Sequence, residues 1–307
     1  MRRVRAVAVV AAAASLTLAA PAAGQSPPPR LAAPADCAAN PNCGPGLAAV
    51  YGFDVRSVLV PLAVADAGIS ALDDGTAEVA VAFSTNPQVS RPDIRTLEDD
   101  RGLVGEDRLV PVARRALLRD HGRRLRNRMN AVSRLITTLA LRSLNQQVID
   151  GRLPEAVGGE FVDANGLGTQ RRRRPGMRIV VGHQDFAEAE TVAHLYGAAL
   201  RAAGYRVAVR SVRGFRPEAV SALRRGRINL YIAYARSLAE YLDPGARIAG
   251  DRVLPPLRRA LARLGSRPLA LAPGENRNLF VMKSATAQVL GIARISDLAR
   301  YWPRNTG

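Results

Sequence analysis

The chain has 307 residues, 48% of them hydrophobic, which is enough for one large domain or two ordinary domains with buried cores. Its net charge is +18, almost all from arginine, since Lys283 is the only lysine. The basic residues concentrate in a predicted amphipathic helix over residues 114–128 and in Arg171 to Arg174. Neither zinc-finger spacing nor an aromatic-interleaved basic strand accompanies them. We therefore interpret most of this charge as solvated surface and predict no nucleic-acid partner.

The first 24 residues have the pattern of a secretory signal peptide. Arg2, Arg3 and Arg5 precede an apolar run, residues 6–20, and the small residues P-A-A-G follow. The run is too short for a convincing membrane span; the alternative is a disordered, alanine-rich start. Because no cysteine directly follows the run, we expect a secreted, extracytoplasmic protein, in the periplasm or cell envelope, without a lipid anchor.

Residues 25–36 are predicted to be a flexible lead, on the basis of their proline and alanine content. They run into C-A-A-N-P-N-C, which contains the only two cysteines, Cys37 and Cys43. An even pair in an exported chain suggests a disulfide, and closing so short a loop would stabilise the fold by only roughly 2 kcal/mol. A metal site is the poorer interpretation because no histidine lies near in sequence, and no cofactor is predicted.

Beyond this loop, strand-like and helix-like segments alternate. The predicted strands cover residues 59–62, 78–83, 109–112, 178–181, 205–212, 228–232 and 278–282. The predicted helices cover residues 65–73, 188–203, 217–225 and 254–264, with two or three more between 112 and 162. This alternation predicts α/β layers with mostly parallel sheets. No P-loop, G-x-G-x-x-G, G-x-S-x-G or H-E-x-x-H motif occurs, so no motif favours an enzyme.

Several sequence segments are similar to segments found in one family of proteins. Residues 182–191 read G-H-Q-D-F-A-E-A-E-T, between a predicted strand and a predicted helix. The further segments are A-L-R-A-A-G-Y-R-V (199–207), A-L-R-R-G-R-I-N-L-Y (222–231), N-R-N-L-F-V-M-K (276–283), I-S-D-L-A (295–299), A-L-D-D-G-T-A-E-V-A-V-A-F-S-T-N (71–86), L-E-D-D-R-G-L (97–103), L-V-P-V-A-R (109–114) and L-N-Q-Q-V (144–148). Together they resemble the substrate-binding proteins of osmoprotectant (glycine betaine/choline) ABC importers, with the two halves in reversed order.

The resemblance implies a circularly permuted, two-lobed clamp of the type II periplasmic-binding-protein kind, in which mixed, mostly parallel sheets are flanked by helices. Residues 169–176, T-Q-R-R-R-R-P-G, would be the linker that joins the ancestral termini. One lobe would combine residues 37–108 with 278–307, and the other would be continuous over 109–277. Chain crossings near 108–110 and 277–279 would be the hinges.

The resemblance also implies a ligand site between the lobes. Residues 228–238, I-N-L-Y-I-A-Y-A-R-S-L, align with the family segment that supplies cage tyrosines. The ligand-binding residues expected are Gln184, Asp185, Phe186, Tyr231, Tyr234, Arg236, Ser84, Thr85, Asn86 and Asn278. Each has a structural alternative, since the tyrosines would also fit a core and Asp185 would also fit a helix cap.

Arg236 stands where the family has a small residue, just beyond the second cage tyrosine. A guanidinium there would repel a simple cation such as choline but could pair with a carboxylate. We therefore expect a zwitterion or an anion, such as a betaine. The alternative is that Arg236 turns to solvent.

The resemblance thus implies a non-enzymatic, monomeric solute-binding component of an ABC importer. It would capture a small zwitterionic or quaternary-amine osmolyte, glycine betaine- or choline-like, and dock on a membrane permease whose ATPase subunit supplies the energy. The alternative is a degenerate relative that acts as a sensor or envelope-binding module without transport. An exported enzyme on the same fold is a more distant alternative.

Overall fold

The computed structural model describes residues 27–64, 67–169, 175–245, 248 and 252–305. The predicted signal peptide, residues 1–24, and residues 170–174 of the predicted linker lie outside this part of the chain. The described residues form two mixed α/β lobes, each built on its own sheet, so the expected two-lobed α/β class is confirmed. Within the described residues, no helix combines the length and the apolar character that crossing a membrane requires.

Eleven strands and ten α-helices are formed by the described residues. The strands are β1 (Leu31–Pro34), β2 (Leu59–Leu62), β3 (Val79–Phe83), β4 (Ile94–Thr96), β5 (Asp107–Arg114), β6 (Ile179–His183), β7 (Val207–Ser211), β8 (Leu230–Tyr234), β9 (Ser266–Pro268), β10 (Glu275–Asn276) and β11 (Asn278–Lys283). The α-helices are α1 (Gly44–Gly46), α2 (Gly68–Asp73), α3 (Arg115–Leu135), α4 (Thr138–Ile149), α5 (Pro154–Ala164), α6 (Ala187–Ala202), α7 (Arg216–Arg224), α8 (Ala235–Leu242), α9 (Leu254–Arg263) and α10 (Ser284–Leu290).

The first lobe has a five-stranded sheet in the order β2-β1-β3-β11-β4. Strand β1 runs parallel to β2 and β3, whereas β11 runs antiparallel to β3 and β4. Successive side chains of a strand point to opposite faces. Accordingly, Val79 and Val81 of β3 pack into the core with Phe280 and Trp302, while the alanines between and after them face α2.

The second lobe repeats this arrangement. Its sheet has the order β10-β5-β8-β6-β7, with β9 also paired to β5. Strand β6 is parallel to β7 and β8, and β5 is antiparallel to β8. Leu109 and Ala113 of β5 face the core under α3 to α6, and Val110 and Val112 face the core under α7 to α9. Both sheets therefore have one antiparallel strand inserted beside parallel ones.

Strand β1 corrects one prediction. Residues 31–34 were expected to belong to a flexible lead, but they form a fully buried strand between β2 and β3 of the first sheet. The Leu31 amide donates to the Val58 carbonyl at 2.8 Å, and the Val79 amide donates to the Arg30 carbonyl at 3.0 Å. A strand buried on both faces shows no alternation of polar and apolar residues, so L-A-A-P beside a proline run gave no strand signal.

The chain passes between the two sheets twice in the described residues. The first crossing is residues 104–106, because Asp107 and Arg108 already belong to β5 of the second sheet. The predicted boundary after residue 108 therefore falls two residues late. The second crossing is Arg277, between β10 and β11. Its amide donates to Ser84 Oγ at 3.1 Å, which ties this crossing to the end of β3.

Candidate functional site

One cavity lies between the lobes, and we call it the interlobe cavity. The ends of β1 and β3 of the first sheet and of β6, β7 and β8 of the second sheet, with the loops that follow them, meet there. The volume of the cavity is about 80 Å³. In open α/β sheets, ligands collect where the carboxyl ends of the strands converge. The cavity is lined from the first lobe by Pro34, Asp36, Asn40, Asn42, Phe83, Val104, Gly105 and Asn278, and from the second lobe and the crossings by Asp107, Gln184, Phe186, Phe215, Arg216, Tyr234, Ser237, Asn276 and Arg277.

Four aromatic rings form one side of the cavity. Phe83 comes from the end of β3, Phe186 caps the start of α6, Phe215 precedes α7, and Tyr234 ends β8. The ring centroids of Phe83 and Phe186 are 5.7 Å apart, and those of Phe186 and Tyr234 are 6.3 Å apart with planes tilted by 23°. The faces of such rings attract cations, so this side suits an ammonium group.

Tyr234 is held by the buried carboxylate of Glu188, which was not among the expected ligand residues. Its hydroxyl donates to Glu188 Oε1, and Asn276 Nδ2 donates to the same oxygen at 2.9 Å. Asn145 Nδ2 donates to the other carboxylate oxygen at 2.5 Å. Burial raises the pKa of the Tyr234 hydroxyl well above its usual value. The ring is therefore fixed in position and its hydroxyl stays protonated.

Two carboxylates lie at the cavity. Asp107 is buried and accepts hydrogen bonds from the Arg236 amide at 2.7 Å, the Ser237 amide at 2.9 Å and Ser237 Oγ at 2.5 Å, so it caps the first turn of α8. Burial outweighs these hydrogen bonds and raises the pKa of Asp107 to about 6. Burial also raises the pKa of Asp36, and the positive charge of Arg216 opposes that shift.

Two arginines also lie at the cavity. Arg216 is half-buried at the first position of α7 and lines the cavity. Its guanidinium makes no hydrogen bond or ion pair with any of the described residues, so it can receive an anionic group. Arg277, at the second chain crossing, is exposed and also lines the cavity. The cavity therefore combines aromatic rings with side chains of both signs of charge.

The loop between Cys37 and Cys43 forms part of the cavity wall. A disulfide joins the two cysteines, with sulfur atoms 2.05 Å apart, and both are buried. Within this loop Asn40 and Asn42 line the cavity. Asn42 Nδ2 donates to Glu240 Oε2 of the second lobe at 3.3 Å. The loop therefore both encloses the cavity and bridges the two lobes.

Four of the expected ligand residues line the cavity: Gln184, Phe186, Tyr234 and Asn278. Asp185 and Tyr231 lie elsewhere. The Asp185 carboxylate accepts a hydrogen bond from Ser211, and its amide donates to the Gly214 carbonyl at 3.0 Å. Tyr231 is fully buried in the core under α7 to α9, as its structural alternative proposed.

The turn after β3 does not contribute its polar side chains to the cavity. Asn86 Oδ1 accepts from the Gln88 amide at 2.9 Å and so caps the short 3₁₀ helix Pro87–Ser90. Ser84 Oγ contacts the second chain crossing. Thr85 is buried, and its carbonyl accepts from Asn145 Nδ2 at 3.0 Å. This turn thus braces the two lobes behind the cavity.

Arg236 is likewise not among the residues that line the cavity. Its Nε donates to the Glu106 carbonyl at 3.1 Å, its Nη1 donates to the Ile248 carbonyl at 3.3 Å, and Nη1 lies 3.6 Å from Glu240 Oε1. Only 15% of its side chain is exposed, so it does not turn to solvent either. It holds the first chain crossing against α8.

The model of one protein family, described as the substrate-binding domain of ABC-type glycine betaine transport systems, matches residues 17–164 and 177–306. A comparison with curated protein sequences gives no significant match.

Solved structures give weak similarities over most of the chain. An ancestral arginine-binding protein bound to arginine is 13% identical with a TM-score of 0.45, covering 89% of this chain and 91% of that one. The GluR0 ligand-binding core with L-glutamate is 12% identical with a TM-score of 0.40, covering 91% and 100%. ArgP from Mycobacterium tuberculosis is 15% identical with a TM-score of 0.43, covering 90% and 68%.

Proposed function

Since the chain belongs to the family of substrate-binding domains of ABC-type glycine betaine transport systems, we propose that it captures a betaine-like zwitterion, a small solute with a quaternary ammonium at one end and a carboxylate at the other. Members of this family are solute-binding components rather than a class of enzymes, and they work with a permease and its ATPase. The identity of the solute has to be argued from the cavity.

The observation that carries the proposal is that one cavity contains both aromatic rings and the guanidinium of Arg216, which has no hydrogen bond or ion pair within the described residues. A quaternary ammonium has no N–H to donate, so its recognition relies on ring faces and nearby negative charge. Phe83, Phe186 and Tyr234 supply the faces, and Asp36 and Asp107 supply the charge. The carboxylate of the solute would pair bidentately with Arg216.

Arg216 thus takes the role that sequence comparison assigns to Arg236. Phe186, Tyr234 and Arg216 lie at or after strand ends of the second lobe, whereas Phe83 comes from the first lobe. A bound zwitterion would therefore contact both lobes, which is how a hinged clamp is held closed. In this proposal the closed protein is an extracytoplasmic monomer that delivers the solute to the permease without changing it chemically.

We also propose that the chain order is circularly permuted relative to the family. The family match falls in two stretches, and the gap at residues 165–176 overlaps the linker expected at 169–176. The two ends of the described chain are neighbours: Trp302 Nε1 donates to the Pro29 carbonyl at 2.7 Å, and the Asn305 amide donates to the Gly52 carbonyl at 2.8 Å. Such proximity lets old termini be joined and new ones opened.

Titration calorimetry with glycine betaine and choline tests the proposed solute class. We expect glycine betaine to bind the wild type at least about tenfold more tightly than choline, because choline has no carboxylate for Arg216. The Arg216→Gln variant should lose this preference, while Arg236→Gln should keep it.

Two results would contradict the proposal. One is choline binding as tightly as glycine betaine to the wild type. The other is an unchanged melting temperature with every solute, since a ligand at about 100 times its Kd should stabilise the fold by about 2.7 kcal/mol. The second result would favour a degenerate relative that no longer binds solute.

A further inference from the structure

A second concave surface lies on the second lobe, away from the interlobe cavity. We call it the arginine groove, and its volume is about 590 Å³. It lies between the first half of α3, helix α9 and strand β9. Its charged lining residues are Arg115, Arg119, Arg126, Arg258 and Arg267. It shares no lining residue with the interlobe cavity.

The charge of this groove is not balanced. All five arginines are exposed, and no acidic residue is among the groove's described lining residues. Within the part of the chain that the structure describes, their guanidinium groups make no ion pair or hydrogen bond. Other arginines do have partners: Arg91 lies 2.8 Å from Asp73, and Arg56 lies 2.6 Å from Asp54. The groove is therefore a concentration of free positive charge and not part of an ion-pair network.

The backbones of β9 and α9, which carry Arg267 and Arg258, are anchored to the lobe, whereas α3 is kinked at Gly122, between Arg119 and Arg126. Strand β9 is paired with β5, with Arg267 opposite Ala113. Helix α9 is anchored by Leu257 and Leu261, which are fully buried on the side that faces the sheet. Because the like charges are held together without a counter-charge, a bound polyanion would relieve their mutual repulsion.

We propose that the arginine groove binds a linear phosphate polyanion. Guanidinium groups pair bidentately with phosphate oxygens, and a chain of phosphates can contact several of the five arginines at once. A single phosphate can contact only one or two of them, and a flat membrane surface cannot enter a concave groove. Binding of this kind would retain the exported protein on a phosphate-rich polymer of the cell envelope while its interlobe cavity stays free.

Long-chain inorganic polyphosphate is the probe that tests this proposal, with binding followed by titration calorimetry. We expect tight binding at low salt that weakens about 100-fold between roughly 50 and roughly 200 mM salt, if about five phosphates are neutralised at a slope of about 0.7 each. The double variant Arg119→Gln/Arg267→Gln should bind at least about tenfold more weakly than the wild type.

The matched control is Arg95→Gln/Arg210→Gln, which removes the same charge elsewhere. Arg95 lies on β4 of the first lobe, and Arg210 lies on β7, at the opposite edge of the second sheet from β5 and β9; both are exposed. This variant should bind polyphosphate within about twofold of the wild type, because only diffuse attraction is lost. The melting temperatures of both variants should match that of the wild type, since only exposed side chains change.

Three outcomes would overturn the proposal. The first is an equal loss of affinity in the two double variants, which would mean that net charge alone attracts the polymer. The second is binding of orthophosphate as tight as that of polyphosphate. The third is binding to vesicles of anionic phospholipid that depends on Arg119 and Arg267 while polyphosphate binding does not, which would assign the groove to a membrane surface.

Discussion

The ring and the hydroxyl group of Tyr234 have different surroundings. Its ring stacks beside Phe186 on the cavity wall, at a centroid distance of 6.3 Å. Its hydroxyl belongs to a buried network with Glu188 and Asn276. In the proposed function the ring contacts the solute, while the hydroxyl hydrogen-bonds within the protein interior. This division can be tested by removing each end separately.

Tyr234→Ala removes the ring and should weaken glycine betaine binding by roughly 5- to 30-fold, since a desolvated cation–π contact contributes about 1–2 kcal/mol. Tyr234→Phe keeps the ring and should change the affinity by no more than about threefold. It should nevertheless lower the free energy of unfolding by about 1–3 kcal/mol, because Glu188 loses a buried hydrogen-bond donor. Calorimetry and urea denaturation measure the two quantities. Equal losses of affinity in both variants would contradict the division.

Asp107 predicts a pH dependence of stability. Burial raises its pKa to about 6 in the folded protein, whereas an unfolded aspartate titrates near 3.9. Between these values the folded state holds a proton that the unfolded state has released, so the free energy of unfolding falls as pH rises from about 4 to about 6. The difference in unfolding free energy between wild type and Asp107→Asn should follow this slope. A difference that stays flat or rises over this range would contradict the raised pKa.

Single residues of the site were only partly predictable from the sequence. Tyr231 and Tyr234 were both expected at the ligand, but residues three apart in a strand point to opposite faces, and Tyr231 accordingly lies in the core. Arg216 gave no signal, because it is one of 44 basic residues and only its position at a strand end distinguishes it. Glu188 was visible in the sequence, but its partner Tyr234 lies 46 residues away.

Among the elements, the disulfide loop has the most direct connection to the cavity. It places Asn40 and Asn42 in the wall and bridges to Glu240 of the opposite lobe. Burial raises the pKa of Glu240, and the positive charge of Arg236 opposes the shift. The loop is thus part of the contact between the lobes beside the cavity, and its disulfide restricts the conformations of this wall.

Removing the cross-link should weaken solute binding without unfolding the protein. We expect Cys37→Ser/Cys43→Ser to lower the free energy of unfolding by about 2 kcal/mol, the value for a loop this short. Affinity for glycine betaine should fall several-fold, because the loop must be ordered on binding at a cost of about 1 kcal/mol or more. Asn42→Ala, which keeps the disulfide but loses the bridge, should show the loss of affinity with a smaller loss of stability. Unchanged affinity for glycine betaine in both variants would contradict a role of the loop in solute binding.

The elements differ in how far the sequence reveals them. Long amphipathic helices such as α6, and strands with a flanking turn such as β2, were predicted to within about two residues, because their apolar periodicity is strong. Several elements were missed, among them the short strands β4, β9 and β10, helix α10, strand β1 and helix α8; the last two show why. Strand β1 is buried on both faces and therefore shows no alternation. Helix α8 begins directly after β8, so one uninterrupted segment, residues 230–242, contains both β8 and α8.

At the scale of the whole molecule, the two lobes repeat one plan. Among the parallel strands of each sheet, the second in sequence lies at the edge, and the first and then the third follow it inward. The strand that crosses from the other lobe is paired antiparallel to the third: β11 with β3 in the first lobe, and β5 with β8 in the second. In the proposed permutation, the order of these two similar halves along the chain is exchanged relative to the family.

The permutation can be tested by reversing it. A chain that starts at residue 175, continues to Asn305, is joined by a short polar linker to Pro27 and ends at Thr169 should fold. Its circular dichroism spectrum should match the wild type, and its affinity for glycine betaine should agree within a few-fold, because Pro29 and Trp302 are already in contact. An insoluble or unfolded product, beside a wild type that folds under the same conditions, would contradict the permutation.

The central claim is that a betaine-like zwitterion binds between the lobes, and a crystal structure of the protein with glycine betaine tests it most directly. We predict the trimethylammonium group between Phe83, Phe186 and Tyr234, and the carboxylate paired with the Arg216 guanidinium. A carboxylate bound to Arg236, or a betaine bound outside the interlobe cavity, would contradict this account.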